Sequence, residues 1–256
     1  MVARALRKVQ LSTAEEGAKA EAIDRALRWT LSMQSRDGGW AAFDRDNDRQ
    51  ILAHVPFADF MSPLDPTCAD VTAHVVELLG ELDRESPALG RAVAYLKATQ
   101  EADGAWYGRW GVNYLYGTGL ALAALGAVSE ASEHAGDRLA VAWLASRQNA
   151  DGGWGETCRS YEDDDPAYRG TGPSTASQTA WALIGLIAAG ETFSPAVQAG
   201  IDYLLRTQQE EGPWEEDAYT GTGFPKAFYL RYDLYRVYFP LLALARYNAQ
   251  VAETMQ

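Results

Sequence analysis

Cysteine, histidine and cationic side chains are scarce in this chain of 256 residues. The two cysteines, Cys68 and Cys158, are too few for a disulfide framework or a cysteine-based metal cluster, which suits a reducing cytoplasm. Lys and Arg total 22 against 35 Asp and Glu, and the resulting formal net charge of −13 would repel the phosphates of a nucleic acid. The sequence therefore predicts no bound metal and no nucleic-acid partner.

Long hydrophobic runs are missing as well. No stretch approaches the roughly 18 consecutive apolar residues of a membrane-spanning helix, and residues 1–10 are basic without the apolar run of a signal peptide. Hydrophobic residues still make up 47% of the chain, which is enough for a sizeable core. We expect a cytoplasmic protein whose membrane contact, if it has one, is peripheral and monotopic, made by a surface patch.

A repeat runs through the chain. Four segments share a glutamine followed six positions later by a tryptophan, with a turn rich in Asp, Glu and Gly between them. Because the same residues recur at the same offsets in four places, the pattern indicates one structural unit that occurs four times. The four segments are Gln34–Trp40, Gln100–Trp106, Gln148–Trp154 and Gln208–Trp214.

Each unit has the pattern of two helices. Before each glutamine, apolar residues at helical spacing predict an amphipathic outer helix, which the glycine of the turn should end as a left-handed cap. The tryptophan is predicted to fold back onto the end of that helix. A more uniformly apolar segment follows, as expected for a buried inner helix. These inner segments are 70–82, 113–128, 177–189 and 234–248.

Strand periodicity is almost absent, and the Gly-Thr-Gly triplets at 170–172 and 221–223 are predicted to lie in loops. The fold class predicted is therefore all-α. Its four outer and inner helix pairs would form either an open solenoid or a partial α/α barrel.

Four further stretches occur in order between the repeats. They are Gly38–Asp44 (GGWAAFD), Asp70–His74 (DVTAH), Gly108–Gly117 (GRWGVNYLYG) and Thr220–Pro225 (TGTGFP), the last leading into Phe228–Leu230. Together with the glutamine–tryptophan repeat, they make the chain resemble the squalene–hopene cyclases, which are class II triterpene cyclases. The resemblance implies that residues 1–256 are the carboxy-terminal part of an α6/α6 barrel domain, with 1–19 as a partial leading helix and linker.

The resemblance also implies a chemistry. Cyclases of this family protonate a terminal alkene of squalene with a strong carboxylic acid and form hopene or hopanol through cations, without a metal or an organic cofactor. Their acid motif, Asp-x-Asp-Asp-Thr-Ala, is absent from this chain, and the nearest string, Glu162–Asp165, is expected to be an acidic surface loop. We therefore expect a fragment or a subunit that is inactive alone and is completed by an amino-terminal half.

His74 and Asp70 are the catalytic candidates that the resemblance implies. A lone histidine in an apolar helix is usually a packed core residue, but in the family this histidine hydrogen-bonds the acid cluster. Asp70, one helical turn earlier, is expected to orient His74. A histidine in this role would make the acid proton easier to donate.

An aromatic cavity lining is implied in the same way, since aromatic faces attract cationic charge without attacking it. The implied lining residues are Trp40, Phe43, Trp110, Tyr116, Phe224, Phe228, Tyr229, Leu230, Tyr232 and Tyr235. Phe43 stands where most relatives have tyrosine, and Phe57 lies in a stretch that matches the family's substrate-channel constriction. Tyr95, Trp143, Trp154, Trp181 and Trp214 are interpreted as packing within the repeat instead.

Three other interpretations remain open at this point. The chain could bind terpenoids without turning them over, as the missing acid motif suggests. It could be an α6/α6-barrel glycosidase with catalytic carboxylates and sugar-stacking tryptophans, which an oligosaccharide titration would reveal. It could also be a partial barrel that self-associates through an exposed apolar seam.

Overall fold

The computed structural model describes residues 2–49, 64–128 and 135–255. Apart from one two-stranded ribbon, the regular structure in these residues is helical. The elements are α1 (Val2–Lys8), α2 (Thr13–Ser32), α3 (Ala69–Leu82), α4 (Pro87–Ala98), α5 (Tyr114–Val128), α6 (Ala135–Ser146), α7 (Arg159–Glu162), a 3-10 turn (Pro166–Tyr168), α8 (Ala176–Ala188), α9 (Pro195–Thr207), β1 (Gly221–Phe224), β2 (Phe228–Leu230) and α10 (Tyr235–Thr254).

The predicted pairing of outer and inner helices is confirmed. Helices α3, α5, α8 and α10 pack side by side in that order as the inner layer, and α4, α6 and α9 lie against them. Helices α5 and α8 are buried along nearly their whole length. Gly119 and Gly185 allow these two helices to approach closely, because a Cβ on Gly119 would overlap the carbonyl oxygen of Trp181 and one on Gly185 would lie 2.9 Å from the Cα of Gly119.

The repeat tryptophans fold back as predicted. In each unit the indole Nε1 donates a hydrogen bond of 2.7–2.8 Å to a carbonyl in the last turn of the outer helix, ten residues earlier. In each unit the glutamine Nε2 also donates to the carbonyl of the glycine four residues later, at 2.7–2.9 Å. The accepting residues of the tryptophans are Thr30, Leu96, Leu144 and Leu204.

The glycines of the repeat do not cap the outer helices, so that prediction was wrong. Helix α2 ends at Ser32, whereas the glycine with positive φ is Gly38, and its N–H closes a tight turn on the carbonyl of Ser35 at 3.0 Å. The other three units have the same turn, with Gly104, Gly152 and Gly212 at φ of 87–105°. The left-handed conformation is therefore needed to reverse the chain after the helix has ended.

The second Gly-Thr-Gly triplet lies in a strand and not in a loop. Residues Gly221–Phe224 form β1, which pairs antiparallel with β2 in a short hairpin. Gly111 forms an isolated bridge to Gly221, so the hairpin is joined to the segment that precedes α5. Among the described residues, no helix is long and apolar enough to cross a membrane.

A buried carboxylate joins the first and last inner helices to α1. Glu77 of α3 pairs with Arg4 of α1 at 2.6 Å and with Arg246 of α10 at 2.8 Å. A cavity of about 710 Å³ lies between the carboxy-terminal halves of the inner helices and α1, with these three side chains in its wall. Burial opposes ionisation of Glu77, but the two guanidinium groups outweigh it and lower the pKa of this carboxyl.

Candidate functional site

Four of the predicted lining residues form a continuous row of rings. Phe43 meets Trp110 edge to face with 5.6 Å between ring centroids, Trp110 lies 6.2 Å from Phe224, and Phe224 lies 6.0 Å from Phe228. They come from three separate places: the turn before α3, the loop before α5 and the hairpin before α10. The fold therefore brings them together at the amino-terminal ends of the inner helices.

A second aromatic cluster is centred on Trp181 of α8. Its ring lies 4.6 Å from that of Tyr116 and 5.8 Å from that of Tyr235, which in turn lies 4.7 Å from Tyr232. Phe239, which the sequence analysis did not single out, packs edge to face on Trp181 at 5.4 Å. Trp181 is fully buried, yet its indole Nε1 has no hydrogen-bond partner among the described residues. The rings of Tyr116, Tyr235 and Phe239 thus enclose Trp181, and its indole N–H is a buried donor that the described residues leave unsatisfied inside this cluster.

Tyr229 and Leu230 lie on β2, where both are partly buried. The hydroxyl of Tyr229 donates to Oε1 of Glu162 at 2.9 Å, and its ring stacks on Tyr161 with 6.0 Å between centroids. Burial and the neighbouring carboxylate of Glu162 raise the pKa of Tyr229, so it remains a neutral donor. Glu162, expected in an acidic surface loop, is thus the last residue of the one-turn helix α7 and anchors the hairpin.

Trp40 lies in the repeat position like the other repeat tryptophans. It is 2% exposed, its indole donates to Thr30, and its backbone N–H donates to Oγ1 of Thr72 at 2.9 Å. The residue expected at the channel constriction, Phe57, lies outside the described residues. The role of both residues in a cavity stays a prediction.

Asp70 and His74 both lie on α3, but no hydrogen bond joins them in the described part of the chain. Oδ2 of Asp70 accepts the backbone N–H groups of Arg109 at 3.0 Å and Trp110 at 2.7 Å, and Oδ1 accepts from Val71 at 3.0 Å. Asp70 therefore holds the loop that carries Trp110, a role that its one-turn spacing from His74 did not indicate.

His74 has a buried ring nitrogen with no partner. Its Nδ1 makes no hydrogen bond within the described residues, and burial lowers the pKa of the imidazole despite the nearby carboxylate of Glu77. A neutral imidazole with one unsatisfied nitrogen costs free energy unless a further group bonds to it. The arrangement can therefore accept a hydrogen bond from an acid placed beside α3.

Three buried carboxylates that the sequence analysis missed hold backbone amides around the site. Oε2 of Glu156 accepts from Asn113 at 3.1 Å and Leu115 at 2.9 Å, at the start of α5. Glu216 accepts from the N–H of Ser177 at 2.8 Å, at the start of α8. Both glutamates stand two residues after a repeat tryptophan, so the spacing was a usable signal.

The third carboxylate fixes the end of the aromatic row. Oδ2 of Asp65 accepts the N–H groups of Phe43 at 2.6 Å and Asp44 at 2.7 Å. Phe43 itself is 66% exposed, so its ring is accessible at the edge of the site. Asp65 thus positions Phe43 and Asp70 positions Trp110, each by accepting backbone N–H groups.

Comparison with known proteins identifies the family of this chain. The family model of the squalene–hopene cyclase C-terminal domain matches residues 1–249. A probable squalene–hopene cyclase of Sinorhizobium fredii is 53% identical over 232 residues, which cover 90% of this chain and 36% of that protein. The squalene–hopene cyclase of Alicyclobacillus acidocaldarius is 49% identical over 239 residues, covering 93% of this chain and 38% of that protein.

A solved structure agrees with these relatives. A substitution variant of the type II terpene cyclase MstE from Scytonema, solved with geranylgeranyl dihydroxybenzoate as substrate, has a TM-score of 0.57 and 26% identity, covering 83% of this chain and 55% of that one. The chain thus spans little more than a third of the length of the two curated relatives. It belongs to the squalene–hopene cyclase family, in which it corresponds to the C-terminal domain.

Proposed function

We propose that this chain forms one wall of a cavity in which a linear polyprenoid of the squalene type is cyclised to a hopene- or hopanol-like polycycle. The observation that carries the proposal is the row of rings Phe43, Trp110, Phe224 and Phe228, together with the Trp181 cluster, whose Tyr116 ring lies against Gly111 in the loop that carries Trp110. Substrate class is supported by the names of the relatives and by the polyprenoid bound to MstE.

Aromatic walls suit a reaction that proceeds through carbocations. A ring face attracts positive charge, and unlike water or a carboxylate it does not capture the cation. In the proposed reaction an acid proton adds to the terminal alkene, and the next alkene attacks the tertiary cation that results. Ring closure continues along the chain until a proton is lost or water adds. The proton is the electrophile, so this reaction needs no metal or organic cofactor.

His74 marks where we propose that the acid lies. Its unsatisfied Nδ1 is buried beside the start of α3, and a carboxyl group there would complete its hydrogen bonding. This chain has no Asp-x-Asp-Asp-Thr-Ala motif, so we propose that an amino-terminal half supplies the acid and docks against the open side of the helix layer. We expect the chain alone to self-associate or to require this partner, which light scattering at micromolar concentration tests; a monodisperse monomer would argue against an exposed seam.

Squalene turnover tests the proposal. The chain alone, and the chain mixed with an amino-terminal half that carries the acid motif, are incubated with squalene in detergent, and the products are separated by gas chromatography–mass spectrometry. Product only in the mixture supports the proposal. Product from the chain alone contradicts the expectation that the acid lies elsewhere.

A paired substitution makes the test specific to the aromatic row. Phe224→Ala removes the ring between Trp110 and Phe228 and should lower turnover by about tenfold or more, the effect of losing a desolvated cation–π contact. Phe193→Ala removes a 59% exposed ring from the turn between α8 and α9 and should leave turnover unchanged. Equal losses in both variants would argue against a role for the row in the reaction.

Absence of product in every sample favours the alternative, a terpenoid-binding module without catalysis, which the missing acid motif supports. We also propose a peripheral, monotopic position on the cytoplasmic face of a membrane, because a squalene-type substrate is dissolved in lipid. Co-sedimentation of the mixed halves with vesicles tests this, and recovery of both halves in the supernatant would contradict it.

A further inference from the structure

Tyr161, whose ring stacks on that of Tyr229, is also the second anchor of the Trp110 loop. It belongs to the one-turn helix α7, is 2% exposed, and directs its hydroxyl towards the loop of residues 108–112. That hydroxyl lies 2.6 Å from the carbonyl oxygen of Gly108 and 2.7 Å from that of Gly111. One phenolic proton is thus shared between two carbonyls that flank Trp110.

The hydroxyl of Tyr161 holds the carbonyl groups of Gly108 and Gly111 together. Two buried carbonyl oxygens that converge on the same point repel each other unless a donor lies between them. Burial keeps Tyr161 neutral by raising its pKa, so the proton stays on the oxygen. Without this donor, the two carbonyl oxygens would repel each other and the ends of the loop would move apart. Trp110, which lies between them, would then shift.

The rest of the loop is attached by different elements. Asp70 of α3 accepts the N–H groups of Arg109 and Trp110, and the N–H of Thr222 in β1 donates to the carbonyl of Trp110 at 3.2 Å. The loop therefore has anchors on α3, α7 and the hairpin. Because Asp70 and β1 hold the loop independently of Tyr161, loss of the Tyr161 hydroxyl should loosen the loop without unfolding the domain.

We propose that Tyr161 is a positioning residue that holds the Trp110 indole in the aromatic row, and so helps to set how far cyclisation proceeds before the cation is lost. This inference rests on the function proposed above. A shifted Trp110 would leave a gap between Phe43 and Phe224, where water or an early proton loss ends the reaction. The consequence is a change in the distribution of products and not only in the amount.

The first measurement is amide hydrogen exchange, which needs no turnover and is made on the chain in its soluble form, either self-associated or mixed with the amino-terminal half. Tyr161→Phe should speed exchange of residues 109–112 about fivefold, the change in opening equilibrium expected from one neutral buried hydrogen bond. Tyr247→Phe is the matched control, because its hydroxyl also contacts a neighbour twice, at Nε2 and Oε1 of Gln198, but between α10 and α9. It should leave exchange of residues 109–112 unchanged.

The second measurement is the product distribution of the same variants mixed with the amino-terminal half. Tyr161→Phe should raise the ratio of incompletely to fully cyclised products at least about twofold, whereas Tyr247→Phe should leave that ratio unchanged. Unchanged exchange in Tyr161→Phe, or a loosened loop with an unchanged product ratio, would overturn the inference. If the wild-type mixture makes no product, the proposed function fails, and the exchange comparison alone decides whether Tyr161 holds the loop.

Discussion

Replacing Glu156 gives a sharp test of how the start of α5 is held. This carboxylate is 3% exposed, and its Oε2 accepts from the N–H groups of Asn113 and Leu115. Its Oε1 is buried without a partner. Glu156→Gln keeps an oxygen that can accept both N–H groups and removes the charge, whereas Glu156→Leu has a similar size and accepts nothing.

The two substitutions should differ clearly in the free energy of unfolding. Glu156→Leu leaves two buried N–H groups without an acceptor, which costs about 2–4 kcal/mol in total. Glu156→Gln should cost less than about 1 kcal/mol at pH 7, because the loss of charge-assisted bonding is offset by the relief of desolvation. In a domain of this size we therefore expect melting temperatures lower by about 5–12 °C for leucine and by less than about 4 °C for glutamine.

The pH dependence has a defined sign. Burial raises the pKa of Glu156 above that of the unfolded chain, and the hydrogen bonds from Leu115 and Asn113 oppose this only in part. The folded state therefore binds the proton more tightly, and the contribution of Glu156 to stability decreases as pH rises from the unfolded pKa through the folded one. Relative to wild type, Glu156→Gln should be least stable near pH 4 and should gain towards pH 7.

Thermal unfolding followed by circular dichroism between pH 4 and 8 measures both effects. Glu211→Gln, at an exposed glutamate, is the control and should match wild type throughout. Equal melting temperatures for the leucine and glutamine variants would refute the reasoning, because the two N–H groups would then not depend on this acceptor. A difference between wild type and Glu156→Gln that is constant with pH would refute the assignment of a raised pKa.

Two further predictions concern the helix packing. Glu77→Gln should destabilise the chain by about 1.5–3 kcal/mol in urea denaturation at pH 7, since it leaves the half-buried guanidinium group of Arg246 without its anion, whereas Arg4 keeps its ion pair with Glu81. The fold lowers the pKa of Glu77, so its contribution to stability is complete above the pKa of the unfolded chain and is lost as pH falls through the pKa of the folded state. The free energies of unfolding of wild type and variant should therefore converge in acid. Gly119→Ala should lower the free energy of unfolding by about 1–3 kcal/mol or prevent folding, because the added methyl group meets the carbonyl of Trp181. The control Gly17→Ala, at an exposed position, should not destabilise the chain. Equal melting temperatures for the two variants would contradict the close contact.

The helix pairs could be predicted from the sequence because each is specified locally and four times over. A glutamine, a turn with glycine and a tryptophan lie within seven residues, so their hydrogen bonds join groups that are neighbours along the chain. The hairpin at Gly221–Leu230 has no such local pattern. Strand β1 forms because Gly221 pairs with Leu230 and with Gly111, both of which lie outside this segment. Two of its four residues are glycines, so it shows neither the alternation of apolar residues nor the composition by which a strand is recognised.

The site was predictable only in part. Phe43, Trp110 and Phe224 lie far apart in the sequence, so their proximity followed from family resemblance and not from spacing. The partners of Asp70 were missed because they are backbone N–H groups of a loop 39 residues away, and backbone groups carry no signature in the sequence. Tyr161 was missed for the same reason, since its hydroxyl binds carbonyls.

The side chain of the repeat glutamine has a consequence for how such units can be joined. Besides its own turn, Gln34 donates to the carbonyl of Ala88 in α4, and Gln148 donates to the carbonyl of Ala196 in α9, at 2.9 and 2.8 Å. Both acceptors are main-chain atoms near the start of the next outer helix, which every residue type supplies. This hydrogen bond therefore does not depend on which side chains the neighbouring unit carries, although at Gln34 the side chain of Arg91 adds a second bond. A unit could be duplicated and its copies could then diverge in sequence while the bond to the main chain is kept.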